Sequence, residues 1–301
     1  MTPDGRITSE FDDTAIIEPE DDDELADLEL VVLDLFGTTV IDDGLVERAF
    51  ARAVEGARLA GTAEEHDRAL ASARQTMGRP ASAVFEGLTD DDDHAQHAGA
   101  LFESAFAELV AADGVHAAPG AEELIRLLRD AGVAVALTSG LSRSALDLVI
   151  AALGWGDLAD TTVSADEAGR GRPFPDQPLT ALLRTGATTV EGMVVVGGSA
   201  SDIASGIAAG AGLVVGVLSG TDDERAFFDA GADAVVDGVA DLAELLGFED
   251  EDAAFDDEDD DLADFDDEDE LDDDDADDAA DADDADASGS ALAAAEGPGR
   301  R

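Results

Sequence analysis

The chain has 301 residues, of which 74 are Asp or Glu and 16 are Lys or Arg, for a formal net charge of −58. Every basic residue is Arg, and the absence of Lys and Cys excludes Schiff-base chemistry, a lysine-bearing phosphate loop, disulfides and thiolate metal sites. This acidity also argues against nucleic acid, whose backbone is bound by basic groups that displace counterions, and against an anionic membrane surface. No apolar run approaches the roughly 20 residues of a membrane span, and the N-terminus lacks a basic-then-apolar leader pattern. The expectation is a soluble, cytoplasmic protein.

Residues 1–28 hold 11 acidic residues and one Arg, and read as an acidic disordered segment. Leu28–Leu33 (LELVVL) is a short apolar run ending in Asp34, the pattern of a buried strand. Asp34 is followed by Leu35-Phe36-Gly37-Thr38-Thr39, a tight turn in which Gly37 permits close backbone approach and the hydroxyls can orient a carboxylate or phosphate. A carboxylate in that position can act as a covalent nucleophile.

Residues 42–116 contain no convincing strand. Gly44–Ala60, Ala63–Met77, Ala81–Leu88 and His94–Ala112 all read as helices. This insertion springs from the loop after Asp34, so it is expected to cap the site, because open α/β sheets bind ligands beyond the carboxyl ends of their strands. Pro119-Gly120 marks the return to the core.

From there strand and helix alternate. Val133–Leu137 ends in Thr138-Ser139-Gly140, and Met193–Val196 ends in Gly197-Gly198-Ser199. Leu213–Leu218 and Ala234–Val236 complete the strands, with helices over Ala121–Asp130, Arg143–Leu153, Gln177–Arg184, Asp202–Ala209 and Ala240–Leu246. Val-rich strands between helices indicate an α/β fold, with a Rossmann-like parallel sheet covered on both faces. The core is assigned to 29–41 and 117–247. Polar clusters follow the strands and converge on one sheet edge. Thr138, Ser139 and Gly140 offer anion donors there, Arg172 offers a bidentate cation, and Asp202 opens a helix. Residues 248–301 read as a disordered acidic tail. It either solubilises the chain or docks a basic partner or cation.

Asp34-Leu35-Phe36-Gly37-Thr38-Thr39-Val40, Thr138, Arg172 and Gly197–Asp202 resemble, in order, the four motifs of the haloacid dehalogenase-like hydrolase superfamily. Asp42-Asp43-Gly44-Leu45-Val46, Met77-Gly78-Arg79 and Gly171-Arg172-Pro173-Phe174-Pro175-Asp176 resemble its phosphonatase-like group. The resemblance implies that Asp34 attacks phosphorus and forms an aspartyl-phosphate, with a small phosphorylated metabolite as substrate. Thr138, with Ser139, Gly140, Gly37 and Thr38, would bind the phosphoryl group, and Arg172 would balance its charge. Asp34, the Phe36 backbone carbonyl and Asp202 would hold Mg²⁺, and Arg79 would help the cap close.

The chain departs from that pattern in three places. Phe36 stands where the phosphatases carry an acid–base Asp. Ala81 stands where phosphonoacetaldehyde hydrolases carry their imine-forming lysine, so that mechanism is excluded. Gly198 replaces a carboxylate that binds the metal directly. Two further readings therefore stay open: a metal-independent hydrolase similar to the 2-haloacid dehalogenases, and a non-catalytic member that binds a ligand or partner.

Overall fold

A computed structural model describes residues 28–75 and 81–248. The acidic segments expected at either end lie outside the described residues, apart from their innermost positions, as does Arg79. Among the described residues no helix is long and apolar enough to cross a membrane.

Six parallel strands form one sheet: β1 (Leu30–Asp34), β2 (Ala134–Ser139), β3 (Thr161–Ser164), β4 (Met193–Gly197), β5 (Leu213–Val217) and β6 (Ala234–Val236). Their order is β3-β2-β1-β4-β5-β6, and every pairing is parallel. The helices are α1 (Leu45–Gly56), α2 (Ala63–Gln75), α3 (Ala81–Glu86), α4 (Asp92–Asp113), α5 (Ala121–Asp130), α6 (Arg143–Leu153), α7 (Ala165–Ala168), α8 (Asp176–Thr185), α9 (Ala200–Ala209), α10 (Glu224–Ala230) and α11 (Leu242–Leu245).

Side chains alternate across the sheet, so the Val- and Leu-rich strands supply two cores at once. Val31, Leu33, Val135 and Val194 share one cluster with Leu124 and Ile125 of α5 and with Leu146 and Val149 of α6. Leu30, Val32, Ala136 and Val195 form the opposite cluster with Ala181 of α8 and Ala209 of α9. Both faces are covered, which is why β1 is buried along its whole length and shows no polar alternation.

The sheet places the ends of β1, β2 and β4 side by side. Asp34 is registered with Thr138, and β1 lies between β2 and β4. Parallel strands all present their carboxyl ends on one edge, so residues distant in sequence meet there. β1 and β4 are central, and the switch in connection direction falls between them, the crevice where such sheets bind ligands.

Helices α1–α4 are inserted between β1 and β2. The chain leaves and re-enters the core at adjacent points: Ile41 N donates to His116 O at 2.9 Å and Ala118 N to Thr39 O at 2.9 Å. An aromatic series fills the insert, with Phe50 stacked on Phe85, Phe85 edge-on to Phe102, and Phe102 stacked on Phe106. Phe36, from the loop after β1, meets the edge of Phe106 with centroids 6.2 Å apart. That contact joins the insert to the loop that follows Asp34. Aromatic pairs of this kind contribute about 0.5–1.5 kcal/mol beyond their buried area.

Three short elements, β3, α7 and α10, depart from the sequence reading. β3 forms the sheet edge where no strand is expected, because only one of its four residues TTVS is apolar and the first two are half-buried. The α10 segment is short and buries a single large side chain, Phe227, against Ile203 and Val214.

Candidate active site

Asp34 ends β1 and is 7% exposed. The turn after it is held by the backbone and by Thr39, whose Oγ1 donates to the Asp34 carbonyl at 2.8 Å. Leu35 N donates to Thr138 O at 3.1 Å, which ties the turn to the end of β2. The carboxylate is thereby aimed from a rigid element rather than a free loop.

Arg172 reaches this carboxylate from the loop before α8 and is 5% exposed. Its Nη2 donates to Asp34 Oδ1 at 2.5 Å and to Thr138 Oγ1 at 3.0 Å. Its Nε lies 2.6 Å from Asp202 Oδ1. One guanidinium thus bridges two buried carboxylates and a hydroxyl, a use of the planar fork that lysine could not copy. The loop is itself anchored, since Ser205 Oγ of α9 donates to Phe174 O at 2.7 Å.

Asp202 is 3% exposed and sits in the first turn of α9. Its second oxygen accepts from Ser199 N at 3.0 Å and from Ser199 Oγ at 2.6 Å. Ser199 and Asp202 make a capping box, in which N-cap and N3 residues satisfy one another's backbone groups. Asp202 therefore fixes both the start of α9 and the angle of Arg172.

The electrostatics follow from one cation between two acids. Burial pushes the Asp34 carboxyl up, to about 7, with Arg172 opposing and the Asp202 charge adding to the rise. Burial also works against the Arg172 charge, but Asp202 and Asp34 more than offset it and hold the guanidinium above its ordinary value.

A cavity of about 90 Å³ opens over Asp34, Arg172 and Asp202. Phe36, Val46, Phe50, Val84, Phe102 and Leu141 make it largely apolar, and most of them come from the insert. Asp42, Glu47 and Arg74 add charge on that side. Arg74 is bonded to Glu47, with Nε donating to Oε2 at 2.8 Å. That bond, more than the partial burial that opposes it, keeps the Glu47 carboxyl below its usual range. Asp42 accepts from Gly44 N at 3.0 Å, and burial pushes its carboxyl up.

The expected site residues separate into two groups. Asp34, Phe36, Ser139, Gly140, Arg172 and Asp202 line the cavity. Gly37, Thr38 and Thr138 lie behind it. The Gly37 carbonyl accepts from Ser219 Oγ at 2.9 Å. The Thr38 hydroxyl is fully buried, with no hydrogen-bond partner among the described residues. The Thr138 hydroxyl accepts from Arg172 and donates to Leu33 O at 3.4 Å, so it positions the guanidinium instead of facing a ligand. Asp42, Glu47 and Arg74 carry no assigned role in the sequence reading. The available signal was the Asp42-Asp43-Gly44-Leu45-Val46 run into α1, which places two acids beside the turn that follows Asp34.

The Mg²⁺ site expected from Asp34, the Phe36 carbonyl and Asp202 does not fit these residues. Both Asp202 oxygens are occupied, one by Arg172 and one by Ser199. Asp34 Oδ1 is bonded to Arg172, and Gly198 offers no side chain. Among the described residues no group of three His, Cys, Asp or Glu is placed to hold a metal ion. A magnesium ion needs near-octahedral oxygen ligands, and one remaining carboxylate oxygen with one carbonyl is a poor set.

Comparison with known proteins agrees with this architecture. Residues 28–210 match the model of the haloacid dehalogenase-like hydrolases. A phosphonoacetaldehyde hydrolase of Pseudomonas fluorescens (strain SBW25) is 31% identical over 209 residues, covering 64% of this chain and 74% of that protein. A second, from strain Pf0-1, is 33% identical over 121 residues, or 39% of this chain and 44% of that protein. The crystal structure of a hydrolase from Pseudomonas syringae superposes with a TM-score of 0.63 at 22% identity, covering 73% of this chain and 97% of that one. The chain belongs to the haloacid dehalogenase-like hydrolase family.

Proposed function

We propose that this protein hydrolyses a small phosphorylated substrate through a covalent intermediate on Asp34. The reading rests on one observation above the rest: a buried carboxylate at a strand end, held by Arg172 on the floor of a largely apolar cavity. In the first step an Asp34 oxygen bonds to phosphorus as the bond to the leaving oxygen breaks. In the second, water attacks phosphorus and the Asp34 carboxylate is released. Arg172 stays within reach of the carboxylate throughout and offsets the charge that gathers there. The apolar wall from the insert lowers the polarity around the pair, which strengthens that interaction. The absence of lysine removes imine formation from the scheme.

A second reading is favoured by the same floor. Arg172 is the cation bonded to Asp34, and the space beyond is bounded mainly by apolar side chains. Such a site suits an electrophilic carbon, with Asp34 displacing halide and water then opening the ester. Turnover in ¹⁸O-water separates the two. Attack at phosphorus puts the label in released phosphate, whereas opening a carbon ester by attack at the carboxyl carbon puts it in Asp34. The test substrates are p-nitrophenyl phosphate, a panel of small phosphate esters, and 2-chloropropionate. Release of neither phosphate nor halide by an intact protein would remove both readings.

The pH dependence follows from the raised Asp34 carboxyl. Asp34 attacks only when ionised, and its carboxyl is pushed up to about 7. Turnover is therefore expected to be low in acid, rise through neutral pH and level off above it. A pH–rate profile at constant ionic strength checks this; a flat profile from about pH 5.5 to 8.5 would contradict it.

A further inference from the structure

Three loops meet backbone to backbone beside Asp34. Gly37 follows β1, Gly198 follows β4 and Gly220 follows β5. A Cβ on Gly198 would lie 2.8 Å from the Gly220 Cα and 2.9 Å from the Gly37 carbonyl oxygen. A Cβ on Gly37 would lie 2.9 Å from the Gly220 Cα, and one on Gly220 only 2.1 Å from the Gly198 carbonyl oxygen. Each obstruction is main chain, which cannot rotate aside as a side chain can. Hydrogen bonds lock the contact: Ser219 Oγ donates to Gly37 O at 2.9 Å, and Thr221 N donates to Gly198 O at 2.8 Å.

We infer that the chemistry at Asp34 runs without a divalent cation, because this glycine contact closes the position from which a carboxylate at 198 would reach a metal, and Arg172 serves as the cation of the site. The inference rests on the hydrolase reading above. It goes further in stating that the lost carboxylate has been replaced by packing. A single reversion would therefore not restore a metal site. The other oxygen ligands are committed in the same sense. Arg172 holds one oxygen each of Asp34 and Asp202, and Ser199 holds the second oxygen of Asp202. A metal would have to displace the guanidinium and break the start of α9 to gain two carboxylates. Without them the set is too small for a magnesium ion, which dehydrates reluctantly.

The test uses the full chain after removal of metal with a chelator. Mn²⁺ binding is followed by electron paramagnetic resonance in the wild type and in Asp34→Asn. Any Mn²⁺ taken up by the acidic segments is common to both proteins, so only the difference reports the site. The expected result is matching isotherms, with affinities within about twofold. A tighter Mn²⁺ site present in the wild type and lost in Asp34→Asn would overturn the inference. Gly198→Asp is expected to add no Mn²⁺ site and to lower the melting temperature; a new site in a folded Gly198→Asp protein would also overturn it. In parallel, p-nitrophenyl phosphate and 2-chloropropionate are turned over with EDTA or with millimolar Mg²⁺. Rates within about twofold support the inference, and activation by Mg²⁺ of about tenfold or more contradicts it. No turnover in either condition counts against the hydrolase reading instead, while the Mn²⁺ comparison still decides the cation.

Discussion

Replacing Asp34 with asparagine is expected to lower turnover by about 10⁴-fold or more, with the protein still folded. The amide keeps the shape of the carboxylate and can still accept from Arg172 Nη2, now 2.5 Å from Oδ1. It cannot form the covalent bond. Folding should change little. The wild-type trio of Asp34, Arg172 and Asp202 buries two negative charges against one positive, and the substitution removes the unbalanced one. Circular dichroism and a melting curve establish that the variant is folded, and product release under saturating substrate gives the rate. Activity within tenfold of the wild type would mean that Asp34 is not the attacking group.

Arg172→Ala is expected to carry the largest stability effect. It leaves Asp34 and Asp202 buried at 7% and 3% exposure without their cation. Stranding buried charge in this way costs about 3–5 kcal/mol. For a domain of this size that corresponds to a fall in melting temperature of about 6–20 °C. The sign of the pH effect is fixed by the chemistry. Burial already pushes the Asp34 carboxyl up, and without Arg172 it loses the cation that opposes the rise. The cost of its charge is present when it is ionised and disappears as pH falls and it protonates. The gap in melting temperature between wild type and variant should therefore narrow in acid. A gap that widens in acid, or no gap at neutral pH, would show that the guanidinium does not hold the two carboxylates. Arg172→Lys should fall between the two, because one ammonium cannot span the fork from Asp34 to Asp202.

The parts of the fold that were legible in the sequence were those with one dominant physical cause. Val-rich runs bounded by polar turns became β1, β2, β4, β5 and β6, because strands buried on both faces admit little else. The convergence of Asp34, Thr138, Ser139 and Asp202 was legible for the same reason: in a parallel sheet, residues just past the strands share an edge. β3 was not, since its two threonines satisfy an edge strand paired only with β2 and carry no apolar run.

Roles were harder to read than positions. Asp202 three residues after Ser199 is a capping-box spacing, yet the family pattern assigns that aspartate to a metal. Only the folded structure shows both oxygens already used. Thr138 offers a hydroxyl that sequence cannot distinguish from a phosphoryl ligand, and the structure turns it toward Arg172 and Leu33. The contact of Gly37, Gly198 and Gly220 joins three loops more than 180 residues apart at the extremes, so no local spacing announces it. Asp42 and Glu47 share the cavity lining with Phe36, which in turn meets Phe106 of the insert, a tertiary arrangement that no local spacing encodes.

The role of Asp34 is tested most directly by catching the intermediate. Wild-type protein is mixed with substrate, quenched in acid within milliseconds, digested and examined by peptide mass spectrometry. The expected result is a substrate-derived adduct on the peptide containing Asp34, with the mass of a phosphoryl group or of a carbon ester, and no adduct in Asp34→Asn. Steady turnover with no adduct on that peptide, or an adduct on another residue that survives in Asp34→Asn, would contradict it.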